Sequence, residues 1–375
     1  MSRPIDRRDF LRGAAATSAL LMSARVPRMF AAERRFAPVN VSRDRVIREV
    51  VGLRPYRASG FVVEAEKLGA KLLVHDYGHG GGGVTLSWGT ASLAVDLARD
   101  FVATQRARRF AVLGCGVSGL SVARLLQRYF QNGPGTVTIY AKALPPDTTS
   151  NIAGASWGPT SVYEPDMVDA KWNDQFRRAC QISNRAFQLL VGPEYGVRWI
   201  EMYELSRNEL SLTSELAGGD ALYPAKQIHR DPEHYFGFPF VRQYSTMLIE
   251  PSIYLSALLR DFYIAGGRVV VKEFRNRREI ARLPEQVVFN CTGLGARELF
   301  DDEELIPVRG QLEILLPQPE IDYCYLSRGY MFPRRDGIVL GGTWDHDDWS
   351  LTPNPEQANQ ILNTHIAIMK GMKPA

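Results

Sequence analysis

Arg109-Phe-Ala-Val-Leu-Gly114-Cys-Gly116-Val-Ser-Gly119-Leu-Ser-Val-Ala-Arg-Leu-Leu-Gln127 decides the fold class. It reads as a short apolar strand, a Gly-x-Gly-x-x-Gly turn, and a helix with Leu120, Ala123 and Leu126 at helical spacing. Strand before and helix after turn a weak motif into a specific one, a dinucleotide-binding turn. Gly114 permits the tight bend, Gly116 lets a pyrophosphate approach the backbone, and Gly119 allows close helix–strand packing. Val117 and Ser118 open the helix whose first N–H groups face the phosphates. The next strand, Thr136 to Lys142, ends without the acid that usually grips an adenosine ribose, which speaks against NAD.

Working outward, a second glycine signal precedes this turn: His75-Asp-Tyr-Gly-His79-Gly80-Gly81-Gly82-Gly83-Val84-Thr85, leading to a helix expected over Ala91 to Ala103. Four successive glycines at a helix start leave N–H groups uncovered and able to face negative charge. His75 and His79 lack a third ligand, so they read as structural histidines and no metal site is expected. Upstream, Arg54 stands between Leu53 and Pro55, where a stiffened backbone can aim its guanidinium at a carboxylate through paired hydrogen bonds.

The formal charge of +4 belongs to the first 32 residues, whose six arginines face only Asp6 and Asp9; the remainder is balanced. A nucleic-acid binder would keep its basic footprint in the folded part, so that class is disfavoured. Cys115, Cys180, Cys291 and Cys324 match no metal-ligand spacing. Arg7-Arg8-Asp9-Phe10-Leu11, followed by the short uncharged run Gly13 to Ala24, resembles a twin-arginine export signal. An export route for folded proteins suits a chain that loads its cofactor first. It implies the twin-arginine translocase as a partner and a periplasmic or secreted location. No other run is long and apolar enough to span a bilayer.

Gly52-Leu-Arg54-Pro-Tyr-Arg57, the His75 to Gly89 segment, the Gly114 to Gly119 turn, Thr148-Thr149-Ser150 with Ala153-Gly154-Ala155-Ser-Trp157, Phe289-Asn-Cys291-Thr292-Gly293, Arg309-Gly-Gln311 and Gly329-Tyr330-Met-Phe-Pro333 together resemble the D-amino-acid oxidase family. In that family the carboxylate arginine and the His-x-Tyr-Gly-His-Gly-Gly segment come last, whereas here both precede the dinucleotide turn. This resembles a circular permutation, with the fused linker at Arg99 to Arg109. Natural termini lie at the surface and near one another, so old ends can be joined and a loop opened with the fold preserved. Ala375 is therefore expected beside Arg35 to Val41.

The resemblance implies an α/β fold: a Rossmann-like FAD-binding domain with a second, antiparallel-sheet substrate domain. Segments are expected at 1–32 (signal), 36–104 (permuted segment with Arg54 and the glycine loop), 105–155 (Rossmann unit), 156–249 (substrate domain), 250–306 (FAD domain), 307–350 (substrate domain) and 351–375 (C-terminal helix). The β-branched runs at Gly267 to Lys272 and Gln286 to Asn290 suit strands buried on both faces of a parallel sheet.

For chemistry, the resemblance implies an FAD-dependent oxidase of D-amino acids. Hydride passes from Cα to flavin N5, the imino acid hydrolyses to a 2-oxo acid and ammonia, and dioxygen becomes hydrogen peroxide. Arg54 and Tyr330 bind the substrate carboxylate. Gly80, Gly81, Gly82, Gly83, Val84 and Thr85 face the flavin N1–C2=O edge. Gly114, Gly116, Val117, Ser118, Gly119, Thr148, Thr149, Ser150, Gly154, Ala155, Cys291, Thr292 and Gly293 complete the FAD contacts. Only eighteen residues separate Gln311 from Tyr330, so the family's lid is shortened, and Gly158 leaves a roomier pocket. Both favour neutral D-amino acids over D-aspartate, although Arg328 beside Tyr330 is placed to receive an acidic side chain. The alternatives are a flavin enzyme of glycine or another small amine, and a non-catalytic exported flavoprotein.

Overall fold

Continuously buried runs form the central strands of one sheet of the molecule, and the other combines buried runs with runs of alternating burial, as expected for strands covered on both faces or on one. The computed structural model describes residues 36–130, 136–154, 156–210, 216–230 and 236–372. The expected export signal, Ala155, Arg35 and Ala375 lie outside the described residues. The elements below belong to the compact unit Ala37–Pro374.

The first sheet has six strands, β2 (Val62–Leu68), β3 (Lys71–Tyr77), β4 (Phe110–Leu113), β5 (Val137–Ala141), β9 (Arg268–Val271) and β10 (Val287–Asn290), in the order β2-β3-β10-β4-β5-β9. From β3 to β9 all neighbours are parallel, and β2 adds an antiparallel edge. β4, β5 and β10 are buried at every position. β9 departs from the expectation of burial on both faces. It is the sheet's edge, and Val271 is 70% exposed. A β-branched run satisfies an edge strand as well as a central one.

Three helices, α1 (Gly83–Gln105), α2 (Val117–Phe130) and α5 (Pro251–Ile264), pack apolar side chains such as Leu86, Leu120 and Leu258 into one core with Val74, Val112 and Phe289 of the sheet. Helix α4 (Ala170–Leu189) joins them through Phe176 and Phe187. On the opposite face, Leu73, Leu113 and Val288 meet Ile280 of the short helix α6 (Arg277–Ala281) and Leu299 of α7 (Gly295–Phe300). α1 starts eight residues earlier than its sequence suggested, because Gly83 follows the glycine turn without a break. It also runs on to Gln105, so the join expected over Arg99 to Arg109 shortens to residues 106–109, with Arg106 in left-handed conformation at φ 51°.

The second sheet contains β1 (Val46–Tyr56), β6 (Val197–Ser206), β7 (Gln227–His229), β8 (Phe240–Ile249), β11 (Ile306–Leu315), β12 (Tyr323–Leu326), β13 (Tyr330–Arg334), β14 (Gly337–Gly341) and the two-residue β15 (Asp345–His346). Its order is β1-β11-β14-β13-β12-β6-β8-β7, with β15 also paired to β11. The sequence suggested an antiparallel sheet, but β12 and β6 run parallel, so the sheet is mixed. The other pairings are antiparallel. Helix α8 (Pro355–Lys370) begins at an Asn354 cap that accepts from the Glu356 and Gln357 N–H groups. Its far end meets the first described residues. The Val39 N–H lies 3.1 Å from Met369 Sδ, and the Tyr323 hydroxyl donates to the Ala37 carbonyl at 2.8 Å.

Candidate active site

Parallel strands bring their carboxyl ends to one edge, so the segments leaving β3, β10 and β4 converge there although those strands end at Tyr77, Asn290 and Leu113. β4 continues through α2 to β5 on one side, while β10 lies on its other side, which opens a crevice between the departing chains. Gly114 borders it with φ +105°, and a Cβ there would lie 2.3 Å from the Cys291 carbonyl oxygen. A Cβ on Gly119 would lie 2.1 Å from the Gly114 carbonyl oxygen. Side chains are thus excluded from both, whereas at Gly116 the nearest atom is Ser150 Oγ at 3.1 Å. The Val117 N–H donates to that hydroxyl at 3.0 Å, so Ser150 stands over the helix start. This cradle of bare backbone and N–H groups fits a dinucleotide pyrophosphate.

Thr149 opens the four-residue helix α3 (Thr149–Ile152), and the Thr148 hydroxyl donates to Asn151 Oδ1 at 2.7 Å. At the end of β10, the Thr292 N–H and hydroxyl both donate to Asn290 Oδ1, while Cys291 is buried and its thiol is pushed well up by that burial. Asn290 Nδ2 meets His75 Nδ1 at 3.0 Å, and His75 Nε2 meets Glu66 at 3.0 Å. Burial pulls the His75 imidazole below its ordinary range. His79 bonds the Thr90 hydroxyl and stacks on Phe61. Both histidines are therefore engaged with protein groups.

The glycine loop forms a 3-10 turn, Gly80–Gly82, that feeds α1. Its N–H groups are less open than the sequence suggested. The Gly81 N–H donates to the Ser161 carbonyl and the Gly82 N–H to the His79 carbonyl, both at 2.9 Å. The glycines are needed for close packing as well, since a Cβ on Gly80 would lie 2.3 Å from the Ser161 carbonyl oxygen. The N-terminus of α1, at Gly83 and Val84, carries no side-chain cap. The Thr85 hydroxyl is already committed: it donates to the Gly158 carbonyl at 3.2 Å and accepts from the Gly158 N–H at 3.0 Å.

Arg54 and Tyr330 come from different parts of the second sheet, yet cross-strand partners share a face. Gly52 pairs with Gly310 and Arg54 with Val308, two residues apart on β11; Leu312 pairs with Gly341, and Gly341 with Tyr330. Both side chains therefore stand on one face. Arg54 lies over Gly310, where a Cβ would sit 2.3 Å from Nη2. Tyr330 lies over Gly341, where a Cβ would sit 2.5 Å from the hydroxyl. Its ring stacks on Phe332, and a Cβ on Gly154 would run into both rings.

The same strand carries this face to the glycine edge. A Cβ on Gly293 would lie 3.9 Å from the Pro55 ring, and Tyr56 bridges to His79 through its backbone, with its ring 3.1 Å from where a Cβ on Gly80 would stand. A Cβ on Gly52 would meet Ile152 at 3.0 Å. On that strand Arg54 shares its sheet face with Tyr330, with its Nη1 donating to the carbonyls of Arg309 (3.3 Å) and Thr343 (3.5 Å). Trp344, Gly310, Tyr56 and Glu164 belong to this neighbourhood without having been singled out as site residues. Tyr56 was within reach of the sequence, since residues two apart on a strand share a face. Its hydroxyl donates to Glu164 at 2.5 Å, and burial pushes its pKa up.

The FAD-dependent oxidoreductase (DAO) family model matches residues 109–374. A D-amino acid oxidase of Dugesia ryukyuensis is 30% identical over 275 residues, covering 70% of this chain and 78% of that protein. A D-amino-acid oxidase of Rubrobacter xylanophilus is 31% identical over 280 residues, covering 71% and 79%. The solved structure of glycine oxidase from Bacillus cereus has a similar fold, with a TM-score of 0.50 at 17% identity over 68% of this chain and 77% of that one.

Proposed function

The chain belongs to the FAD-dependent oxidoreductase (DAO) family, with FAD as its cofactor, and from that membership we propose that it oxidises D-amino acids at Cα. The observation that carries this reading is the floor of Gly310 and Gly341, which places a guanidinium and a phenol side by side on one sheet face beside the glycine cradle. Bound FAD supplies the two-electron acceptor for the Cα hydrogen and the route by which those electrons reach dioxygen as peroxide.

Arg54 receives the substrate carboxylate. Its Nη1 is engaged with carbonyls, and Nε and Nη2 make no hydrogen bond among the described residues, so these two donors present a fork. The Tyr330 hydroxyl, also without a hydrogen bond among the described residues, donates to the same carboxylate. Together they fix which face of Cα is presented, and orientation is the chain's main contribution. Gly114, Gly116, Val117, Ser118 and Gly119 hold the pyrophosphate, with Ser150, Thr148 and Thr149 nearby. The capless start of α1, at Gly83 and Val84, would face the flavin ring of the bound cofactor. A Cβ at Gly158 would meet nothing within 4 Å, and Arg328 is exposed; both support neutral D-amino acids over acidic ones.

The circular permutation is supported by the contact of Val39 with Met369 and by the four-residue join at 106–109. Export by the twin-arginine translocase to the periplasm or beyond rests on the Arg7-Arg8 segment. The test is anaerobic reduction of the purified flavoprotein with panels of D- and L-amino acids and glycine, followed by peroxide measurement on admission of air. Bleaching by D-enantiomers with peroxide release is expected; reduction by glycine alone, or by no member of the panels, refutes the proposal.

A further inference from the structure

We infer that Trp344 is a positioning residue for the carboxylate arginine: its indole, anchored by His346, holds the Arg54 guanidinium over Gly310. The inference rests on the reading of Arg54 as the carboxylate receptor and names what keeps it in place. β1 and β15 flank β11 at the same residue, since Val308 pairs with Arg54 on one side and His346 on the other. Partners across strands share a face, so Arg54 and His346 rise on the same side of the sheet. The Arg54 guanidinium lies where β11 has a glycine, because any Cβ on Gly310 would occupy its place.

Trp344 fills the remaining side of this niche. Arg54 Cζ lies 4.8 Å from the centre of the indole, within cation–π range. The indole Nε1–H donates to His346 Nε2 at 2.7 Å, which fixes the plane of the ring. Tyr56 closes the cluster edge-on, with its ring centre 6.1 Å from that of Trp344 and 5.6 Å from that of His346. From behind, buried Arg309 ties down the same loop through Asp345 (3.3 Å) and the carbonyls of Ser350 (3.1 Å) and Thr352 (2.7 Å).

The chemical logic lies in what the niche omits. Arg54 has no carboxylate partner among the described residues; two carbonyls and a π face hold it. An acidic anchor would restrain the side chain but consume the charge that an incoming carboxylate needs. An aromatic face restrains it and leaves that charge available, so the cost of ordering a long side chain is met before substrate arrives.

The test uses the FAD-loaded full chain and its Trp344→Leu, Trp344→Phe and His346→Leu variants. Anaerobic reduction is followed over a range of concentrations of the D-amino acid that reduces the wild type fastest, separating half-saturation from limiting rate. Acetate binding, read as a perturbation of the flavin absorbance, reports carboxylate affinity without turnover. Trp344→Leu is expected to weaken both affinities roughly tenfold while limiting rate and flavin content change little. Trp344→Phe, which keeps a π face, recovers most of the loss, and His346→Leu gives a smaller shift in the same direction. Wild-type affinities in Trp344→Leu, or a loss falling on limiting rate alone, overturn the inference. Should the leucine variant not fold, His346→Leu decides: weakened acetate and substrate affinity at an unchanged limiting rate supports the inference, and wild-type affinity overturns it. A wild type that no D-amino acid reduces removes the proposed function and this inference together, whereas a reduced wild type with indifferent variants removes this inference alone.

Discussion

His365 gives the fold a pH limit whose size follows from its surroundings. The ring projects from α8 into the sheet and is completely buried. The Tyr325 hydroxyl donates to Nδ1 at 2.5 Å, so Nε2 carries the proton and donates to the Gly341 carbonyl at 3.3 Å. Burial lowers its pKa from 6.5 to about 4, outweighing the carbonyl contact that acts the other way. Above pH 6.5 the imidazole is neutral in both folded and unfolded chains and contributes no pH dependence. Between 6.5 and about 4 the unfolded chain takes up a proton that the folded chain refuses, so stability falls as pH falls. The full penalty is about 3 kcal/mol below pH 4, and about 2 kcal/mol is already felt at pH 5. Urea unfolding of the wild type and His365→Gln at pH 7 and pH 5 isolates this effect, since other titrating groups are common to both. The variant is expected to lose about 2 kcal/mol less than the wild type between the two pH values. Equal losses would refute the assignment of a buried, neutral His365.

Arg54→Ala should lower kcat/KM by roughly 10- to 10³-fold while bound-flavin absorbance is retained, because it removes one member of a desolvated charge pair; near-normal turnover excludes its role. Tyr330→Phe should cost less, since the ring remains and one hydroxyl is lost; a loss equal to that of Arg54→Ala contradicts the division of work. Gly119→Ala should abolish stable FAD retention, measured as flavin per protein, because the new Cβ would meet the Gly114 carbonyl oxygen 2.1 Å away, a backbone atom; a fully loaded variant would show that the turn can relax. A re-permuted chain, opened between Arg106 and Arg109 and joined from Met372 to Ala37 by a short linker, should still bind FAD; loss of soluble flavoprotein would count against the permutation.

Local signals carried much of the fold because they are local in cause. The Gly114 to Gly119 turn is dictated by backbone conformation and by the approach of the Cys291 carbonyl, and such constraints leave glycines that can be read without coordinates. Arg54 and Tyr330 were recognisable from their flanking motifs. Their shared face depends on the pairings β1–β11, β11–β14 and β14–β13, none of which a linear pattern states. Trp344 and His346 were harder still, because β15 is two residues long and too short to show a period. The edge position of β9 and the parallel β12–β6 pair were hidden for the same reason, since each is set by which strand arrives alongside.

This distinction bears on the proposed permutation, because it says what a reordering of the chain would leave untouched. The pairings that bring Arg54 over Gly310 and Tyr330 over Gly341 are set by strand register, and register depends on side-chain faces and backbone hydrogen bonds. Chain order enters only through the connections. Here β1 reaches β11 across more than two hundred residues of sequence yet remains paired with it from Val46 to Tyr56. What the order does constrain is loop closure, whose cost grows only logarithmically with length. The arginine can therefore precede the dinucleotide turn without changing the contacts that orient it, provided the four-residue join after α1 spans from the helix end to β4. Arg106 makes that possible by turning left-handed at φ 51°, with its N–H bonded to the Val102 carbonyl. The site's geometry is thus a property of the two sheets, and in the proposed permutation the connection at residues 106–109 is where the chain order would be accommodated.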